Sequence, residues 1–493
     1  MKRVISWLLA LSLAAVLAVP GAGAVYMDIP AGSALAGEVQ RAVQYGLMEG
    51  YSAARFGYGD PMTRAQFVTV LGRMMNWAAS PAENVITAAM ELPENLSDTY
   101  RNAISYAVKN DVADANTPFR PNERITRAEM SEMLVRALGL KSAASLAEKG
   151  ISLPFGDVTS RRGYIAVAYT IGMTNGTSAA AFSPDSTATR AQAAAMLVRI
   201  YEKLHQKNGW VHGFYANASY SQLSLTDYLD AVSVGWSRMT WDGGQARLAT
   251  TSAGGNEYYI PTGYQEVAAY LADGRKRMHL NVYMDGTAPR ELLASSEGRA
   301  QAVEEIVNEL TVSYRQLGRN PYSGVTVDFE GLRAASRSDF TAFLEELSRE
   351  VHGLGKTLYV CVSPVLSSGP YYDGYDYRAI AALADQVILM AYDYDARDLS
   401  GFEGTEYYKN IAPAPIDQVF MSLAAIAAAV QDPGKIALGF SCKNIAWQID
   451  ENERLVSGKP LYPSNETLYR RLEQADTIRG WSDSYQTSYA IYT

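Results

Sequence analysis

The sequence of 493 residues predicts a multidomain protein, with small all-α repeat modules followed by an α/β domain. The α/β domain is predicted to be a (β/α)8 TIM barrel that is incomplete at its C-terminus. Three observations lead to this prediction. The length suits two to four domains of roughly 100–200 residues each. One motif recurs three times at a fixed spacing in the first half, and apolar strand-like runs alternate with helical patterns in the second half.

The overall composition excludes several classes of function. Lys and Arg number 43 against 52 Asp and Glu, which gives a formal net charge of −9 and no basic field to hold nucleic acid. Four histidines and two cysteines leave little material for a metal site or a disulfide framework, so we expect no metal and no cofactor. Cys361 and Cys442 fall in separate apolar runs and are expected to be buried free thiols.

The N-terminal residues 1–24 are predicted to be a signal peptide. Lys2 and Arg3 precede an apolar run from residue 4 to residue 19, and a small-residue cleavage site ends at Ala24. The run is shorter than the ~20 residues that cross a bilayer as a helix. We therefore expect an exported protein that has no membrane span after cleavage.

Three modules are predicted next, at residues 25–80, 95–142 and 152–203. They share a Phe and a Thr-Arg-Ala triplet, and the Thr recurs at positions 63, 126 and 189, a period of 63. This Thr is a natural helix N-cap, and the Gln or Glu three positions later completes a capping box. Modules this small bury little surface alone, so the three are predicted to pack around a shared axis.

These segments resemble S-layer homology modules in the start at Phe155-Gly-Asp157, the middle at 46–50 and the Thr-Arg-Ala box. The resemblance implies that the three modules bind an anionic secondary polymer of the cell wall. It also implies a secreted protein bound to the wall or S-layer of a Gram-positive-type bacterium. The candidate polymer-binding residues are Asp28, Arg64, Asp98, Arg127, Asp157 and Arg190. Arginine suits a carboxylate ligand, but each arginine could instead pair with an acid of a neighbouring module.

The remaining residues, 209–493, alternate predicted strands with amphipathic helices. Strands are predicted at 211–217, 231–239, 278–284, 324–330, 357–363, 386–392 and 435–440. This order favours a parallel sheet that is covered on both faces, either doubly wound or closed into a barrel. No Gly-x-Gly-x-x-Gly follows the first strand, so the barrel is preferred. Seven strands instead of eight suggest a fragment or a truncated product.

The fourth predicted strand, residues 324–330, carries the candidate chemistry. Its apolar residues should face the helices, whereas Thr326, Asp328 and Glu330 should face the barrel interior, with Glu330 at the carboxyl end. Two carboxylates this close can raise one another's pKa, as a general acid near neutral pH requires. The alternative is that the acids mark a strand end leaving the core for water.

This strand, with Ser323 before it, resembles the Asp-Gly-x-Asp-x-Asp-x-Glu strand of glycoside hydrolase family 18. The segments Met390-Ala-Tyr392-Asp393 and His212-Gly-Phe-Tyr215 resemble the same family, which contains chitinases and N-acetylglucosaminidases. Other sequence segments of the same domain are most similar to the branch of the family that cuts spore cortex or cell-wall peptidoglycan.

The resemblance implies a retaining, substrate-assisted mechanism. Glu330 would protonate the glycosidic oxygen and then act as base, Asp328 would orient the 2-acetamido group of the substrate, and Tyr392 would hydrogen-bond that group. The implied substrate-binding residues are Tyr215, Thr326, Met390 and Asp393. Thr326 stands at an acid position of the family and cannot give Asp328 an amide partner.

The preferred hypothesis is a wall-anchored glycosidase that cleaves β-1,4 bonds of N-acetylglucosamine-containing glycans, with peptidoglycan ahead of chitin. A second hypothesis is a non-catalytic wall or S-layer glycan-binding protein with a degenerate or truncated barrel. A third is a structural protein of the surface layer.

Overall fold

The computed structural model describes residues 26–77, 85–206, 209–314, 316–364 and 373–493. The predicted signal peptide lies outside these ranges. The chain divides after Gln206 into two compact units. Within the described ranges, no helix has the length and apolar character that are needed to cross a bilayer.

The described part of the first unit contains seven α-helices. They are α1 Ala36–Gln44, α2 Arg64–Met74, α3 Asp98–Lys109, α4 Arg127–Ala137, α5 Lys141–Gly150, α6 Arg162–Thr170 and α7 Arg190–His205. The three predicted capping boxes are confirmed at the starts of α2, α4 and α7. In each box the Thr hydroxyl accepts a backbone N–H that would otherwise lack an intrahelical partner.

Backbone hydrogen bonds join the three repeats into a closed ring. The N–H at the start of each capped helix donates to a carbonyl of the following repeat, and the third repeat returns to the first. These bonds run from Arg64 N to Glu123 O (3.0 Å), from Arg127 N to Ser186 O (3.0 Å) and from Arg190 N to Asp60 O (2.9 Å). The three loops therefore surround one common axis.

The second unit alternates strands and helices. Its strands are β1 His212–Tyr215, β2 Ala231–Trp241, β3 Ala246–Ala249, β4 Arg277–Met284, β5 Gly324–Phe329, β6 Thr357–Val362, β7 Gln386–Leu389, β8 Ile436–Leu438, β9 Ile478–Ser482 and β10 Thr487–Ile491. Its α-helices are α8 Tyr264–Asp273, α9 Ala288–Ala294, α10 Ser296–Thr311, α11 Arg337–Gly353, α12 Tyr377–Leu383, α13 Ile416–Ala429 and α14 Asn465–Leu472. All seven predicted strands are present, whereas β3 and the β9–β10 hairpin were not predicted.

The main sheet is a half-barrel of parallel strands in the order β1-β2-β4-β5-β6-β7-β8, with β3 antiparallel to β2. The sheet is curved, so that Trp210 beside β1 meets the ring of Tyr359 of β6 edge-on, with ring centroids 5.3 Å apart. In the described part of the chain, β1 and β8 are not paired with each other. The open, curved sheet is consistent with the predicted incomplete TIM barrel.

The outer face of β5 packs against α11. Val325, Val327 and Phe329 are fully buried, and Phe329 stacks on Phe343 with ring centroids 5.4 Å apart. Each such burial contributes roughly 1.5–3 kcal/mol and fixes which side chains of β5 face inward. The prediction for this strand is confirmed. The prediction of buried thiols holds for Cys361 of β6 only: Cys442 is exposed because β8 ends before it, at Leu438.

Candidate functional site

The two candidate carboxyls lie at the carboxyl end of β5. Asp328 points into the half-barrel and is buried, and Glu330 follows the strand and is only partly exposed. The backbone N–H of Glu330 donates to the carbonyl of Met284 (2.8 Å), so pairing with the end of β4 fixes the position of the glutamate.

The environment of Asp328 disfavours its ionised form. Burial raises the pKa of Asp328 to about 7, and the negative charge of Glu330 adds to this effect. Hydrogen bonds with the side chains of Asn281 and Cys361 act in the opposite direction. Thr326 was expected to leave Asp328 without an amide partner; Asn281 of β4 acts on the pKa of Asp328, and Asp328 Oδ1 has no hydrogen-bond partner within the described ranges.

The environment of Glu330 also disfavours its ionised form. Burial is the largest cause that raises the pKa of Glu330. The negative charges of Asp285 and Asp393 raise it further, whereas the positive charge of Arg397 lowers it. A carboxyl that stays protonated at higher pH than usual can deliver a proton near neutral pH.

Tyr392 lies close to both carboxyls. Burial raises the pKa of its hydroxyl, and the charges of Asp328 and Glu330 contribute to this rise. Its ring lies over Gly439, where an added Cβ would stand 3.1 Å from Tyr392 Cε1. A glycine just after β8 therefore leaves the space that the tyrosine ring occupies.

The implied substrate-binding residues differ in exposure. Met390 is buried in a cluster that includes Tyr392, and Asp393 is exposed. Tyr215 pairs with Val234 of β2 and is buried in the apolar core between the sheet and the helices, on the face opposite to Asp328. The prediction that Tyr215 binds substrate beside the carboxyls is therefore wrong, because the alternation of β1 turns its side chain towards the helices.

Thr326 is fully buried beneath Asp328, and its hydroxyl bonds to interior side chains. It lies 2.6 Å from the Ser233 hydroxyl and 3.3 Å from His279 Nδ1, and His212 Nε2 reaches the same serine at 2.7 Å. Burial lowers the pKa of His212 to about 4 and that of His279 to about 3. The floor beneath Asp328 is therefore uncharged at neutral pH.

Several side chains of the site were not predicted. Asn281, Tyr283 and Asp285 alternate along the end of β4, which is the same signal that identified the acids of β5. Tyr258 stacks on Tyr283 with ring centroids 4.6 Å apart. Burial and the charge of Glu330 raise the pKa of both hydroxyls, and the charge of Asp328 also raises the pKa of Tyr258. Tyr258 lies outside the named strands, where no sequence period marks it. Within the described ranges, no group of three or more His, Cys, Asp or Glu could hold a metal ion.

The three candidate arginines of the first unit serve the contacts between repeats. Each guanidinium donates to the carbonyl of the Phe in the next repeat. These bonds join Arg64 to Phe119 (3.1 Å), Arg127 to Phe182 (2.9 Å) and Arg190 to Phe56 (3.0 Å). Arg127 and Arg190 are buried. The alternative prediction, in which each arginine pairs with an acid of a neighbouring module, holds for Arg64, which forms a close ion pair with Glu129.

The candidate aspartates fall into two groups. Asp28 accepts backbone N–H groups of residues 56–58, and Asp157 accepts those of Phe182 and Ser183, so both hold the loop before a capped helix. Asp98 is exposed in the first turn of α3 instead.

Asp328 is expected to lower stability as the pH rises. Its folded-state pKa of about 7 exceeds the ~3.9 of an unfolded aspartate. The cost of ionising it is therefore absent below pH 4, grows between about pH 4 and pH 7, and is constant above. Asp328→Asn removes that cost, so the variant should exceed the wild type in stability at pH 8 by on the order of 2–4 kcal/mol and match it at pH 4. Denaturant unfolding across this range measures the difference.

The matched control is Asp273→Asn, which changes an exposed carboxyl at the end of α8. Parallel stability curves for the wild type and Asp328→Asn would contradict the assignment of a buried, destabilising carboxyl.

Known protein families match both units in part. Residues 262–493 match Glycosyl hydrolases family 18, and residues 26–68 and 96–131 match the S-layer homology domain. The third repeat, 152–203, lies outside these matched ranges.

Three similar proteins illustrate the extent of the likeness. A presumed sporulation-specific glycosylase of Bacillus subtilis (strain 168), YdhD, is 33% identical over 110 residues, which are 21% of this chain and 26% of that protein. The cortical fragment-lytic enzyme of the same strain is 30% identical over 92 residues, 18% of this chain and 21% of that protein. A chitinase structure from Chromobacterium violaceum aligns with a TM-score of 0.45 at 21% identity, covering 58% of this chain and 82% of that one.

The chain spans about a quarter or less of the length of the curated relatives it matches. It combines S-layer homology segments with a C-terminal domain that matches glycoside hydrolase family 18.

Proposed function

We propose that this protein is a secreted, wall-bound glycoside hydrolase that cleaves β-1,4 bonds of N-acetylglucosamine-containing glycans. The observation that carries the proposal is the arrangement at the end of β5. Glu330 and Asp328 both have raised pKa values there, and Tyr392 lies close to both. The match of residues 262–493 to a family of glycosyl hydrolases supports the same reaction class.

The mechanism follows from the different environments of the two carboxyls. Glu330, partly exposed and with a raised pKa, donates a proton to the glycosidic oxygen and later accepts one from water. Asp328, buried deeper, orients the substrate's 2-acetamido group, whose carbonyl oxygen attacks the anomeric carbon. Tyr392 donates a hydrogen bond to the same group. Two inversions at one carbon retain its configuration.

Peptidoglycan is the preferred substrate, ahead of chitin. The sequence context after β6 is most similar to the branch of the family that cuts cortex and cell-wall glycans. One relative is named for lysis of cortical fragments, and the S-layer homology segments suit a protein held at the wall. We propose that these segments bind an anionic secondary polymer of a Gram-positive-type wall.

The direct test incubates the purified chain with chitooligosaccharides and with peptidoglycan, and follows the reducing ends by proton NMR. We expect turnover with the β-anomer appearing first and a higher rate on peptidoglycan. Appearance of the α-anomer first would contradict the retaining mechanism.

A second candidate function is glycan binding without cleavage. It is favoured by the uncharged floor beneath Asp328, where Thr326 bonds to Ser233 and His279. Tight binding of a chitooligosaccharide with no turnover by the wild type would favour this candidate over the hydrolase.

A further inference from the structure

Lys443, in the segment after β8, binds two carboxylates that follow β7. Its ammonium donates to Asp393 Oδ1 at 3.0 Å and to the two oxygens of Asp395 at 3.1 and 3.2 Å. The Asp395 side chain is only 1% exposed, and the Tyr462 hydroxyl also donates to it at 3.3 Å. The ammonium lies 4.6 Å from the centre of the Tyr462 ring, so the lysine is held on several sides.

Asp393 connects Lys443 with the candidate acid–base residue Glu330. It directly follows Tyr392, and its charge is one of those that raise the pKa of Glu330. Its backbone is left-handed, with φ of 62°, a conformation that costs a non-glycine residue on the order of 1 kcal/mol. Half of its side chain is exposed, yet Lys443 fixes its direction. A strained backbone and an ion pair thus hold one carboxylate next to the acid–base residue.

We propose that Lys443 is a positioning residue, which holds Asp393 beside Glu330 and partly neutralises it during glycoside cleavage. The expected kinetic effects of this inference rest on the proposed function. The expected effect of Lys443 on the pKa of Glu330 does not depend on it. Lys443 donates to Asp393 at 3.0 Å, and the charge of Asp393 raises the pKa of Glu330, so the lysine acts on Glu330 through Asp393. An unneutralised Asp393 would repel the anionic form of Glu330 more strongly and keep its proton bound to higher pH.

The charged and titratable groups around Glu330 come from several elements. They are Asp285 after β4, Asp328 in β5, Cys361 in β6, Tyr392, Asp393 and Arg397 after β7, and the tyrosines Tyr258, Tyr283 and Tyr375. The test must therefore isolate the lysine from these neighbours.

Lys443→Met alone would leave the buried Asp395 without its cation, which could unfold the segment. The informative comparison is therefore Asp395→Asn against Lys443→Met/Asp395→Asn. We expect the double variant to raise the Glu330 carboxyl pKa by roughly half to one pH unit. The readout is a ¹³C NMR titration of labelled glutamate carboxyls, in which Glu330→Gln assigns the signal. The alkaline limb of kcat/KM should move by the same amount, and kcat should fall about tenfold with a smaller change in KM.

The matched control is Lys459→Met, because Lys459 forms an exposed ion pair with Asp398 in the same part of the chain. Adding Asp393→Asn to both test proteins should abolish the difference between them. The inference is overturned if the double variant titrates like Asp395→Asn, or if the difference persists without Asp393. A wild type that hydrolyses no glycan, with the NMR shift as expected, would overturn the proposed function and leave the positioning role supported.

Discussion

Glu330→Gln is expected to lower kcat on peptidoglycan or chitooligosaccharide by about 10²- to 10⁴-fold. Glutamine fills the same space after β5 but cannot donate a proton to the glycosidic oxygen. The loss should be smaller on an aryl glycoside, because a phenolate leaves without full protonation. Initial rates on both kinds of substrate, at the pH optimum of the wild type, measure this difference.

Glu345→Gln is the matched control, because it changes an exposed carboxyl on α11. It should leave both rates unchanged. Equal rates for Glu330→Gln and the wild type on the unactivated glycan would remove Glu330 from the role of acid. An equal loss on both substrates would indicate a role in binding and not in proton transfer.

Arg127→Met is expected to destabilise the first unit by about 3–5 kcal/mol. The buried guanidinium donates to the carbonyls of Phe182 (2.9 Å) and Asn175 (2.7 Å), and it lies 4.6 Å from the centre of the Phe182 ring. Methionine leaves both carbonyls without these charged donors, at a cost of about 1–3 kcal/mol each in addition to the lost ring contact. Calorimetry of the full chain measures the change, and hydrogen exchange assigns it to the first unit.

Arg120→Met is the control, since Arg120 is 60% exposed and pairs only loosely with Glu123, at 3.7 Å. An unfolding transition of Arg127→Met that matches this control would contradict the structural role.

The same variant tests the proposal that the first unit binds a wall polymer. The assay is sedimentation with walls that retain their anionic polymer, at a temperature where the variant is still folded. Retained binding would mean that Arg127 supports the fold alone. Lost binding in the folded variant would mean that the arginine also contacts the polymer.

Much of the second unit could be predicted from sequence because its signals are local. Alternation along β5 identified Asp328 and Glu330 on one face, and burial of the apolar face against α11 fixes that register. The same alternation continues from Asn281 in β4 to Asp285 just after it, but neither residue forms part of a known acidic motif that would predict a role. The features that depend on chain segments far apart could not be predicted. Lys443 reaches Asp393 across fifty positions of sequence, and no period connects them.

The first unit shows a similar division. Capping boxes are local, so the starts of α2, α4 and α7 could be predicted correctly. The pairing of Arg127 with carbonyls of the next repeat could not be predicted, because a guanidinium can bind a carboxylate, an aromatic ring or a carbonyl. Only the packing of the loops decides among these partners.

The ring of three repeats also constrains how this architecture can vary in evolution. Open repeat arrays gain or lose a copy at little cost, since each copy contacts only its neighbours in a line and the ends are capped. In this ring the third repeat bonds back to the first, through Arg190 and Asp60, so every copy has two neighbours and no copy is terminal. Removing one copy would break two junctions at once, and adding a fourth would require a different angle at every junction. Repeat number should therefore vary in multiples of three, while the length of the loops within each repeat stays free to change.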